Sequence, residues 1–206
     1  MLCATPTATF IRTEEEPAQL RWNCANAVTA HGRLQDKQMN TIRSATTDDL
    51  AAVVAMVRQA TRHMDDRGIF QWDTVYPDEL ILRGDIEKQQ MHVIEDAGAV
   101  AGFVTINEEQ SPEYREIAWS YQGRVLVVHR LTVSPKHQGK HLASGLMDFV
   151  EQEAAQRRYD TIRLDAFVNN PPAVSLYEKR GYRNAGTVHF RKGLFYCFER
   201  RVESSA

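Results

Sequence analysis

The stretch His137-Gln138-Gly139-Lys140-His141 sets two histidines four residues apart around a Gly-Lys pair, directly before a run that scans as a helix. Three chemistries use such residues. Two histidines at i and i+4 of a helix can share a zinc ion. Here Gly139 lies between them, Pro135 lies just before, and the periodic apolar stripe starts only at Leu142, so both histidines precede the helix and no metal is expected. A Walker-type phosphate loop needs glycine at position 134 and serine or threonine at position 141, where the chain has Ser134 and His141. The third chemistry is a cradle made of backbone. A strand ends at Val133, a short loop carries Gly139 and Lys140, and the amides of the next helix's first turn point into that loop with the positive end of the dipole. Any strand-loop-helix junction has this form, so the stretch alone leaves a phosphate site and a plain helix start both open.

The elements that would position this loop can be read from periodicity. Thr41 to Ser44 reads as a short strand, and Thr46 with Asp49 offers a capping box. Leu50, Val53, Val54 and Val57 then bury one stripe of a first helix. Residues 63–76 are irregular and aromatic, and Pro77 is expected to open a second helix reaching about residue 90. Residues 91–96 and 99–106 flank an Ala97-Gly98 turn and predict a hairpin. Residues 124–133 form a long apolar strand, and Leu142, Leu146, Phe149 and Val150 give the following helix its buried face. Residues 160–167 alternate as a strand, 171–181 read as a short helix ending at Gly181, and 187–200 close the chain as a hairpin. Strands and helices interleave, with hairpins at both ends. That order predicts an α/β (α+β) domain over residues 41–201.

Composition narrows the function further. The 206 residues carry a net charge of -2 and are 43% hydrophobic, with a pI near 6.4. A real core can form, but no global positive field holds nucleic acid or an anionic membrane, so any anion site is local. Cys3, Cys24 and Cys197 are odd in number and widely spaced, which argues against a disulfide framework and for a reducing compartment. No apolar run approaches the roughly 18 residues of a membrane span, and the N-terminus lacks signal-peptide features. The expected location is cytoplasmic, with no nucleic-acid or membrane partner. Residues 1–40 show no sustained periodicity and read as an extension, and residues 202–206 as a tail.

Two motifs carry a resemblance. Val133-Ser134-Pro135 followed by Gln138-Gly139-Lys140-His141-Leu142-Ala143 is similar to the pyrophosphate-loop signature of the GNAT superfamily of acyl-CoA-dependent N-acyltransferases, Q/R-x-x-G-x-G/A. Asn170, Ala173, Leu176, Tyr177, Glu178, Lys179, Gly181 and Tyr182 match a second element of the same family, N-x-x-A-x-x-L-Y-E-K-x-G-F/Y. Both stand in the family's order and at its separation, and the resemblance covers the chain apart from its N-terminal extension, closest to small stand-alone bacterial-type members. It implies a mixed, mostly antiparallel sheet of about six to seven strands flanked by about four helices, with splayed central strands. The departure is His141, where the family usually has glycine. An imidazole there could turn outward, touch phosphate, or impair coenzyme binding.

The resemblance implies direct attack of an amine on the thioester of acetyl-CoA, with both substrates bound together and no metal. It assigns the pyrophosphate to the amides of Gln138, Gly139, Lys140, His141, Leu142, Ala143 and Ser144. Backbone of Leu131, Thr132 and Val133 would pair with the pantetheine arm as an added strand would, and Asn170 would bind the same arm near the reacting end. Tyr177 matches the general acid, and a phenol with an ordinary pKa near 10 stays protonated at neutral pH. As an aromatic beside Leu176 it would otherwise read as core. No base carries over by motif. Glu116, before the long strand, and His129, within it, are candidates by residue type, with His129 sharing a face with Leu131 and Val133 by period-two counting.

Acceptors in this family dock beside the loop joining the first two helices, where the chain offers Phe70, Trp72 and Tyr76 with Asp65, Asp66 and Asp73. Aromatic faces and carboxylates suit a cationic amine, small molecule or peptide; packed over the sheet, the same residues would be a lid. The expected enzyme is a monomer or homodimer. A catalytically idle acyl-CoA-binding or interaction module on the same fold is the alternative that His141 keeps open.

Overall fold

The computed structural model describes residues 40–203. The expected extension over 1–40 falls outside these residues except for Asn40, as do residues 204–206 of the expected tail. The element order is β1 (Thr41–Ser44), α1 (Leu50–Asp65), α2 (Glu79–Glu87), β2 (Met91–Asp96), β3 (Ala99–Asn107), β4 (Val125–Val133), α3 (Leu142–Gln156), β5 (Thr161–Phe167), α4 (Pro171–Lys179), β6 (Arg183–Phe190) and β7 (Gly193–Arg201). The seven strands lie in the order β1-β2-β3-β4-β5-β7-β6. Only β4 and β5 run parallel. This is the expected mixed, mostly antiparallel sheet flanked by four helices.

Local chemistry accounts for most boundaries. The capping box forms, with the Thr46 amide donating to Asp49 Oδ2 at 2.8 Å. Ala97 and Gly98 both take positive φ, 56° and 76°, the geometry of a two-residue hairpin turn. Pro77 does not open α2 as expected. Asp78 is the cap, its carboxylate accepting from the Ile81 amide at 2.9 Å, and the helix stops at Glu87.

The helices divide between the two faces of the sheet. Val53, Met56 and Val57 of α1 and Leu82 and Ile86 of α2 pack on Met91, Val93 and Phe103. Leu142, Leu146, Met147 and Val150 of α3 pack on Val104, Ile106, Leu126, Val128, Ile162 and Leu164. A third cluster, of Tyr114, Val127, Phe167, Phe195 and Cys197, lies where β4, β5 and β7 meet the segment 112–119.

The feature that builds the site is a break in β4. Thr105 of β3 pairs with His129, yet Phe103 pairs with Thr132, so β4 carries one residue more than β3 across this interval. Arg130 lies inside it at φ 48°. The extra residue reverses the alternation: Leu126 and Val128 pack with the α3 cluster, and so do Leu131 and Val133 beyond the break. His129 therefore faces away from Leu131 and Val133, contrary to the period-two count. β4 pairs with β5 only from Val125–Thr161 to Val128–Leu164, and past that point the two strands separate.

Candidate active site

A cavity of about 830 Å³ opens where β4 leaves β5. Its walls include Val128 to Val133, Asp165, Ala166, Asn170, Leu176 and Tyr177, with Trp72 and Tyr76 from the α1–α2 loop and Phe190 to Lys192 from the β6–β7 turn. Of the residues singled out in the sequence, it gathers His129, Leu131, Thr132, Val133, Gln138, Ala143, Asn170, Tyr177, Trp72 and Tyr76. Among the described residues, backbone of β4 beyond Val128 has no partner strand on the β5 side, the edge an extended pantetheine arm requires.

The loop beyond Val133 turns through Pro135–His137 and enters α3 at Leu142. Both histidines precede the helix. Gly139 adopts φ 81°, and a Cβ there would meet nothing within 4 Å, which leaves room over its backbone. Lys140 Nζ lies 2.5 Å from Asp96 Oδ2, so its ammonium is held against β2. His141 stands before α3 at φ 60° and ψ 17° with an exposed side chain, outside the walls of the cavity. The family's preference for glycine at this position is thus met in backbone conformation by a side chain that points to solvent. A left-handed residue with a Cβ costs about 1–2 kcal/mol, partly offset by the entropy glycine adds to the unfolded chain. His141→Gly should therefore change stability by less than about 1 kcal/mol, on the stabilising side. Coenzyme A affinity should match the parent's from pH 6 to pH 8 by calorimetric titration. Among the described residues no group of three or more His, Cys, Asp or Glu could hold a metal ion.

Tyr177 sits on α4, which begins at Pro171 with Asn170 as its cap. Its ring stacks edgewise on Tyr182 at 6.0 Å and tilts on Phe198 at 5.9 Å, leaving the hydroxyl end to the cavity. Burial, reinforced by the Asp165 carboxylate, raises its pKa above the ordinary phenol value. Asn170 Nδ2 donates to Gln71 Oε1 at 2.9 Å, tying α4 to the α1–α2 loop.

Three residues proposed from the sequence are placed elsewhere. Asp73 is consumed by structure: its carboxylate takes two 2.8 Å bonds from Arg191 and accepts the Val75 and Tyr76 amides. The Arg191 guanidinium, then the Val75 amide, hold its pKa well below the usual carboxylate range. It clasps the α1–α2 loop to the β6–β7 turn, with Lys192 Nζ also 3.4 Å from its Oδ2, and lies outside the cavity walls. Phe70 is exposed and points away, while its neighbours Ile69 and Trp72 are buried. Glu116 ends the 3-10 turn Pro112–Glu116, exposed and outside the cavity, whereas Glu113 of the same turn lines it. His129 does reach the wall, but its Nε2 is engaged with Asn107 Oδ1 at 2.9 Å. Burial, then Arg130, pushes its pKa down to about 4.

One group went unnoticed in the sequence. Asp165 lies on β5 opposite Cys197 of β7, on the face of the third cluster, and lines the cavity. Tyr114 Oη donates to its Oδ2 at 2.7 Å. Burial raises its pKa to about 6, against the opposing effect of the Tyr114 bond. A signal was available: Arg163 and Asp165 put two charges on one face of a strand whose other face is wholly apolar.

Comparison with known proteins agrees with this geometry. Residues 55–182 match the acetyltransferase (GNAT) family. A streptothricin acetyltransferase from Escherichia coli is 37% identical over 59 residues, a match that spans 29% of this chain and 34% of that protein. An acetyltransferase of the GNAT family from Streptococcus agalactiae superposes with a TM-score of 0.72 at 20% identity, covering 82% of this chain and 98% of the other. An N-acetyltransferase from Thermoplasma acidophilum in complex with coenzyme A gives 0.61 at 15%, covering 79% and 98%. With the family's two motifs meeting at one gap in the sheet, the chain belongs to the GNAT family of acetyltransferases, enzymes that use acetyl-CoA.

Proposed function

We propose that this protein transfers the acetyl group of acetyl-CoA to a primary amine, both substrates being bound together. The observation that carries the reading is the gap beyond Val128 and Leu164, flanked on one side by the loop 134–141 and on the other by Tyr177. Amides from Gln138 to Ser144 would hold the pyrophosphate, with the α3 dipole behind them. The β5-facing edge of Leu131, Thr132 and Val133, without a partner strand among the described residues, would align the pantetheine arm. Asn170 would bind it near the thioester, exchanging its Gln71 contact for one to the arm. The thioester supplies an activated acyl carbon and a thiolate leaving group. Tyr177 would protonate that sulfur, its hydroxyl having no hydrogen-bond partner of its own among the described residues.

For the acceptor, the faces of Trp72 and Tyr76 together with the carboxylates of Glu113 and Asp165 suit a cation. Phe70 and Asp73 drop out of that role. Among the described residues no helix is long and apolar enough to cross a membrane, and we place the enzyme in the cytoplasm as a monomer or homodimer. The test is thiol release from acetyl-CoA with a panel of amines: streptothricin, a polyamine, an amino-acid ester and a tripeptide with a free N-terminus. Amine-dependent release supports transfer. Coenzyme binding without release for any of them would favour the idle module.

A further inference from the structure

Transfer to an amine requires that the ammonium lose a proton before its nitrogen can attack; Glu116 lies outside the cavity, and His129 Nε2 is already engaged with Asn107 Oδ1. We propose that Asp165 is the group that accepts this proton, and that Tyr114 is the positioning residue that holds its carboxylate toward the cavity. The inference rests on the acetyl-transfer reading of the same site.

Geometry carries it. Asp165 lies just past Leu164, the last β5 residue paired with β4, and so stands at the point where the sheet opens. Tyr177 packs with the α3 cluster, while Asp165, through its partner Cys197, belongs to the opposite face; the two reach the same cavity from opposite sides of the sheet. A thioester lying in the gap would thus have the proton donor on one side and the proton acceptor on the other. Tyr114 is 3% exposed, its phenol bonds only one carboxylate oxygen, and the Trp119 indole Nε1 donates to its carbonyl at 3.0 Å. Among the described residues Oδ1 has no hydrogen-bond partner.

His63, Arg67, Arg191 and Lys192 line the same cavity, and the groups that interact with Asp165 itself come from four further elements. They are Tyr114 and Glu113 from the 3-10 turn, Arg130 from β4, Tyr177 from α4 and Cys197 from β7. Burial raises the Cys197 thiol to about 12 and Tyr177 and Tyr114 above the ordinary phenol, so all three are neutral at pH 7. Asp165, near 6, is then ionised, yet closer to an ammonium's range than an ordinary carboxyl.

The protons balance. One passes from the ammonium to Asp165 Oδ1 and on to water. The nitrogen forms the C–N bond as the C–S bond breaks; Tyr177 gives its proton to sulfur and is reprotonated by the second proton leaving nitrogen. One proton is released overall.

The test compares wild type, Asp165→Asn and Tyr114→Phe across pH 5.5–9.5, using two classes of amine. Ordinary alkyl amines such as spermidine and putrescine are cations at pH 7.5, whereas trifluoroethylamine is largely neutral and needs no base. Asp165→Asn should lose about a hundredfold or more in kcat/KM with the first class and less than about fivefold with trifluoroethylamine. Tyr114→Phe removes a bond that favours the ionised carboxyl, so its acid limb should move to higher pH while coenzyme A affinity is unchanged. A merely structural tyrosine would lower activity equally at all pH values. Equal losses with both amine classes, or an Asp165→Asn enzyme with the parent's pH profile, overturn the proposal while transfer stands. A wild type that releases no thiol with any amine overturns the transfer reading, and this one with it.

Discussion

Tyr177→Phe should lower kcat about a hundredfold or more, within the range a positioned general acid contributes, and leave coenzyme A affinity and the melting temperature nearly unchanged. The three expectations follow from one geometry. The ring is held by Tyr182 and Phe198, contacts that phenylalanine keeps. Since the hydroxyl bonds no protein group among the described residues, its removal orphans nothing and opens no charge. What is lost is a proton donor facing the cavity. The raised phenol pKa does not disqualify it: the burial that disfavours phenolate disfavours a thiolate in the same cavity, so the two acidities shift together. Steady-state rates with the best amine of the panel, paired with calorimetric titration of coenzyme A, check the prediction. Unchanged kcat would return Tyr177 to the core.

How much of this was readable in advance depended on the range of the interaction. Helix α3 declared itself through Leu142, Leu146 and Val150, all on one face, and the β2–β3 hairpin through Ala97-Gly98, because period and turn chemistry are local. The loop 134–141 and the segment 170–182 were legible as motifs. The break at Arg130 was not: a charged residue at positive φ has no local signature, and the error propagated to the face assigned to His129. The pairing of Asp73 has no local signature because its partner, Arg191, is 118 residues away. Glu113 and Glu116 sit on one short turn, and only its docking against the sheet decides which faces inward.

That break is held by a buried ion pair, and the second large effect is expected there. Arg130 Nε and Nη2 each bond one oxygen of Asp85 at 2.8 Å, and Thr105 Oγ1 reaches Oδ2 at 3.0 Å. Both charged side chains are 9% exposed. Arg130 Nη1 also donates to Tyr76 Oη at 2.9 Å, so the same residue tethers the α1–α2 loop. Asp85→Ala would strip the guanidinium of its bidentate carboxylate, a loss of about 3–5 kcal/mol for a buried pair broken on one side. Urea unfolding should show it as a lower midpoint. Coenzyme A affinity should fall as well, since the left-handed Arg130 has then lost what pins it and the β4–β5 gap loses its shape. The double variant Asp85→Ala/Arg130→Gly separates the two causes. It removes both charges and supplies a residue that accepts φ 48° without a Cβ penalty, so it should recover the coenzyme affinity and the part of the stability lost to the unpaired charge, though not that lost with the arginine packing and the Thr105 bond. Recovery of stability without affinity would mean that the guanidinium itself, rather than the backbone it holds, shapes the site. A loss below about 1 kcal/mol in Asp85→Ala would mean that the pair is open to water and the break is fixed by the strand register alone.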